Sequence, residues 1–185
     1  MSVNVTIITT ANRVRKFVQQ DLQAIEQLLT TLQRSAQLFA NRTLIIGSEH
    51  ATEIFSPSSI TRIEIETDQD LAAFLPSTGD STLTRLDADT VAPPSETNET
   101  HMAGRIDFFF EGGDALAAWY SAPRPTMVNE RLMRLTRLFE QPVIIYTLPA
   151  GGIGLMNPGC MTRAQIGNGA ETLPAGAWRL EPVHD

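Results

Sequence analysis

Apolar residues recur at alternating spacings of four and three between Val18 and Phe39: Val18, Leu22, Ile25, Leu29, Leu32, Ala36 and Phe39. This repeat keeps one apolar stripe along a helix. A helix over residues 13–40 would run to about 40 Å at ~1.5 Å per residue. Asn12 is placed to cap it. A stripe of that length must be hidden, either on a sheet of the same chain or against a second copy. The opposite face is glutamine-rich (Gln19, Gln20, Gln23, Gln27, Gln33, Gln37), and the positions flanking the seam carry no complementary charges of the kind that pair coiled coils. Both modes of burial stay open, and the seven seam residues form the candidate interface.

The 185 residues suit one domain, 1–185, with room for a proper core. An apolar share of 42% and a charged share of 19% describe an ordinary globular chain. The net charge of −7 repels nucleic acid and anionic membranes, so neither is an expected partner. Lys16 is the only lysine against thirteen arginines, which a GC-rich, bacterial-like coding sequence would produce. Cys160 stands alone, so no intrachain disulfide or multi-cysteine metal cluster can form. A basic leader and an apolar run of about 20 residues are both missing from the sequence, which points to a cytoplasmic protein.

Short strands are predicted at 2–9, 42–47, 60–66, 143–148 and 153–156, with weaker ones near 161–166 and 176–181. Alternation in Ile60–Glu66 suggests one wet face. Arg105–Glu111 and Asp114–Tyr120 flank Gly112–Gly113 as a hairpin. Phe108, Phe109 and Phe110 within it suggest a strand covered on both sides. Residues 71–75 fit one helical turn stopped by Pro76. A second helix is expected at 127–140, capped by Thr126, with Val128, Leu132, Leu135 and Phe139 inward. Residues 87–101 are acidic, contain Pro93–Pro94 and hold few large apolar side chains, the composition of a mobile loop. The expected fold is therefore α+β, with a long N-terminal helix and a second helix packed on a mainly antiparallel sheet built from hairpins.

Chemistry-bearing patterns are sparse. Gly151, Gly152 and Gly154 follow a strand, but no lysine or helix start completes a phosphate loop, and a hairpin turn explains them as well. Arg131, Arg134 and Arg137 fan over one side of the expected second helix, with Arg124 upstream, and could hold an oxyanion. Their simpler explanation is a solvated face. His50, His101 and His184 are scattered, and no spacing suggests a metal pair. Cys160 would need a contacting histidine to act as a nucleophile. No catalytic residue, metal or cofactor is assigned. The sequence favours a non-enzymatic binding or assembly domain that self-associates through the first helix. The alternative is a domain for an anionic ligand, enzymatic or not, using Arg124, Arg131, Arg134, Arg137 and the Gly151–Gly159 loop.

Overall fold

The computed structural model describes residues 2–40, 43–47, 51–75, 81–87, 90, 96–124, 137–167, 176–178 and 180. Their main feature is a ten-stranded sheet in the order β12-β8-β9-β6-β10-β11-β5-β1-β2, with β7 pairing β8 off this path. The strands are β1 (Val3–Thr9), β2 (Val14–Gln19), β5 (Ile60–Glu66), β6 (Thr82–Arg85), β7 (Glu96–Thr97), β8 (His101–Phe110), β9 (Ala115–Pro123), β10 (Ile144–Thr147), β11 (Ile153–Met156) and β12 (Met161–Ile166). Neighbours run antiparallel except β6 and β10. A separate hairpin, β3 (Leu44–Gly47) with β4 (Thr52–Phe55), lies outside this sheet.

The sheet cannot be flat. Strands β11 and β12 are five positions apart, about 24 Å at the usual strand spacing. The chain from Met156 to Met161 reaches at most about 18 Å. The sheet therefore rolls, bringing β5 over the turn of the β8–β9 hairpin, where Asp114 meets Arg62 and Thr61.

Rolling divides the core in two. Ile63 and Ile65 of β5 share a face with Ile7, Val5, Ile153 and Leu155, and this face packs under helix α1 (Leu22–Leu32). The opposite face of β10 and β11 carries Ile144, Tyr146 and Met156, which join Phe108, Phe110, Leu116 and Ala118 inside the roll. Strands β5, β11 and β10 thus separate two cores: β10 and β11 contribute apolar side chains to both, and β5 meets the second through Glu64, bonded to Tyr146.

The long N-terminal helix is corrected to a strand, a short helix and a 3-10 turn. Residues Val14–Gln19 alternate as a strand, and Asn12, at φ 53°, closes the β1–β2 turn in the left-handed region instead of capping a helix. The cap is Asp21, whose carboxylate accepts from Ala24 N at 2.8 Å. Of the seam, Ile25, Leu29 and Leu32 are buried on the chain's own sheet. Val18 on β2 and Leu22 at the helix start remain exposed, Ala36 is exposed beyond the helix, and Phe39 packs partly against the α1 core. The coincidence of a 4-3 spacing with a strand entry produced the apparent continuous seam.

The α+β description is corrected as well: the chain is sheet-dominated, and α1 is the only α-helix among the described residues. The expected second helix lies outside them through residue 136, and its end, Arg137–Glu140, is a 3-10 turn with Phe139 exposed. Of the acidic 87–101 segment, Glu96–Thr97 forms β7, and Asn98 closes a turn by accepting from Thr100 N and His101 N. Residues 88, 89 and 91–95 lie outside the described set.

Candidate functional site

A cavity of about 560 Å³ opens between α1, the sheet face of β1, β2, β5 and β11, and the β3–β4 hairpin. Its origin is local. In the hairpin Leu44, Ile46, Glu53 and Phe55 turn toward the sheet, while Ile45 and Ile54 are exposed. Phe55 meets Phe17 edge to face at 6.4 Å, and Arg15 of β2 grips Glu53 of β4 with two parallel bonds, one of them Nε to Oε2 at 2.9 Å. Short strands held by these two contacts leave a gap above Val5, Ile63 and Leu155 that the side chains of the described residues do not fill. Glu53 is the one charged residue lining it among the described residues. The hydrogen bonds from Arg15 hold the Glu53 carboxyl below its ordinary range, so it is a carboxylate at neutral pH.

A second constellation lies inside the roll. Glu64, 7% exposed, accepts from Tyr146 Oη at 2.8 Å, Arg85 Nη1 at 2.9 Å and Arg62 Nη1 at 3.3 Å. Arg62 also donates through Nη2 to Asp114 Oδ1 at 3.1 Å. Its Nε stands 3.0 Å from Oδ2, within ion-pair distance but off the line of a hydrogen bond. Arg85 reaches Asp87 at 3.1 Å. Burial works against the Arg85 charge, and Glu64 and Asp87 more than offset it, so its pKa is raised. The face of β5 expected to be wet is instead an ionic layer enclosed by the sheet. Both guanidinium groups are committed to carboxylates of the chain itself, so the cluster ties β5, β6, β10 and the β8–β9 turn together.

The residues singled out from sequence are dispersed. Gly151 and Gly152 sit in the β10–β11 turn, and Gly152, at φ 100°, has no room for a Cβ against Ile65 O. Gly154 lies flat under the Tyr146 ring, where a Cβ would fall 1.9 Å from Cζ. Sterics of the fold account for both. Arg124 is exposed past β9 and donates to Asn98 O at 3.0 Å. Arg137 is exposed, while Arg131 and Arg134 lie outside the described residues, as do His50 and His184.

Cys160 is buried, with Asn157 Nδ2 at 3.2 Å and the carbonyls of Ser58 and Ile60 each at 3.4 Å from its sulfur. Burial, with a smaller contribution from Glu111, raises its pKa and keeps it a thiol. His101 Nε2 lies 3.0 Å from Ser121 Oγ. Ser121 is mid-strand between β8 and β6, so neighbouring N–H groups are taken by the ladders and no oxyanion hole is formed there.

Neither large site had a usable sequence signal. The cavity is assembled from separate strands, a helix and a hairpin, and the ionic layer from residues as far apart as Arg62 and Tyr146. Among the described residues no group of histidine, cysteine and carboxylate side chains could hold a metal, and no helix is long and apolar enough to cross a membrane. Compared with known proteins, the chain matches no family model, no curated protein sequence and no solved structure.

Proposed function

We propose that this chain is a non-catalytic binding module that takes a small apolar molecule into the cavity beneath the β3–β4 hairpin. The observation that carries this reading is the cavity itself. Its volume, about 560 Å³, falls in the range of small-molecule sites, and its lining is aliphatic and aromatic with a few polar groups at the edge. Unfilled apolar volume weakens a fold, and a ligand that restores contact with Val5, Leu28 and Leu155 recovers that loss. The alternative site for an anion lacks comparable support: the arginines that are described sit apart and exposed, and the buried ones are neutralised within the chain.

The test is uptake of a neutral fluorescent reporter, N-phenyl-1-naphthylamine, followed by its emission. Leu28→Trp combined with Leu44→Trp fills the space from two sides, with folding checked by circular dichroism and by the unfolding midpoint. The reading expects uptake by the parent and a loss of about tenfold in affinity in the folded double variant. No uptake, or uptake unchanged by filling, as for a reporter resting on exposed Trp178 and Leu180, overturns it.

A further inference from the structure

From the charge at the mouth of this cavity we infer that its ligand carries a hydrogen-bond-donating, uncharged or cationic head group, an alcohol or amine on an apolar body, and not a carboxylate or phosphate. The inference rests on the cavity being a binding site and adds the chemistry of what enters. Glu53 lines the cavity and Arg15 does not, so Glu53 is the member of the pair that an incoming head group can reach. Each carboxylate oxygen can accept about two hydrogen bonds. Arg15 occupies one position on each, Nε on Oε2 and Nη2 on Oε1, which leaves acceptor capacity for a ligand.

The ion pair also holds the carboxylate in place. A donor head group would find a fixed acceptor without ordering a free side chain, whereas an anionic head group would bring like charge to a half-enclosed site. The protein's net charge of −7 adds to that discrimination. Besides Arg15, which the ion pair engages, Arg34 is the described basic residue that bears on the cavity: it lines a second hollow that shares Thr31, Leu38 and Leu44 with it. It follows the end of α1 and provides the route by which the opposite outcome would arise.

The experiment displaces the neutral reporter from the full chain with octan-1-ol, octylammonium and octanoate at neutral pH. The expected result is displacement by the alcohol and the ammonium at concentrations about tenfold lower than octanoate requires. Glu53→Gln should narrow that gap to about twofold while the alcohol still binds, and Arg15→Gln, which unmasks the carboxylate, should widen it. Both variants keep the Phe17–Phe55 contact that also holds the hairpin, and folding is checked by circular dichroism and retained uptake of the reporter.

Equal displacement by all three compounds overturns the inference. So does preference for octanoate, and its loss in Arg34→Gln would place the anionic head at Arg34. A gap that Glu53→Gln leaves unchanged overturns it too. In each of these cases the cavity would still be a binding site, whereas failure of the reporter to bind at all removes the underlying reading.

Discussion

Individual residues are where the sequence concealed most. Arg62 and Glu64 alternate with Ile63 and Ile65 as solvent-facing charges would, and only the roll of the sheet turns them inward. Gly154 looks like part of a glycine-rich ligand loop, yet it is the space that the Tyr146 ring occupies. Tyr146 is 1% exposed and donates to Glu64, so ionising it would place two negative oxygens together away from water. Burial, then the Glu64 charge, accordingly raises its pKa well above 10.0. The unfolded chain gives up this proton near pH 10 while the folded chain keeps it. The stabilisation is therefore complete below that pH and is lost as the pH rises toward the folded value. Cys160, raised from 9.0, acts in the same direction from a lower starting point. Urea midpoints measured at about pH 8, 10 and 11 should hold and then fall steeply. Tyr146→Phe should cost about 1–2 kcal/mol at neutral pH, through the lost donor to Glu64, and should flatten the alkaline fall. An equally steep fall in that variant would show that Tyr146 is not its source.

Elements were legible where one period dominated. Ile60–Glu66 is a strand over the range its alternation indicates, Ile153–Met156 and Met161–Ile166 are strands where they are predicted, and the hairpin around Gly112–Gly113 forms with both glycines at positive φ. Phe108 and Phe110 are buried, whereas Phe109 is covered from outside by the Arg163 guanidinium, 4.0 Å above its ring. The failure came where two periods overlapped. Val18 satisfies both the helical seam and the alternation Val14, Lys16, Val18, and the heptad concealed the strand. That strand gives the lone lysine a physical role. Among the described residues, strand β2 ends the sheet with one edge unpaired, and Lys16 sits exposed between two exposed valines. A lysine there discourages a second sheet from adding on. Replacing it completes an apolar row, so Lys16→Val should raise the mass in solution relative to the parent, as measured by light scattering across a concentration series. Unchanged mass at every concentration would mean that the edge is protected by something other than this charge.

For the whole molecule, the sequence supplied most strands but not their order, because neither the parallel β6–β10 contact nor the roll is encoded in any local window. The consequence is mechanical. Strands β5, β11 and β10 present Ile63, Ile65, Ile153 and Leu155 to the α1 core and Glu64, Tyr146 and Met156 to the interior of the roll. Losing either core releases one side of the same three strands and strips the other core of a wall, so the two should unfold together. The test uses probes that sit apart: helix α1, read by circular dichroism at the helical band, and Trp119 on β9, read by fluorescence. The exposed Trp178 is first replaced by phenylalanine so that the emission reports Trp119 alone. Leu29→Ala, wholly within the α1 core, should cost about 2–5 kcal/mol. The Trp119 transition should then move by the same amount as the helical one, although Leu29 belongs to the α1 core and β9 contributes Leu116 and Ala118 to the other. If the helical signal shifts and the Trp119 signal stays, the shared strands do not couple the two halves, and the sheet is two folding units joined at β10.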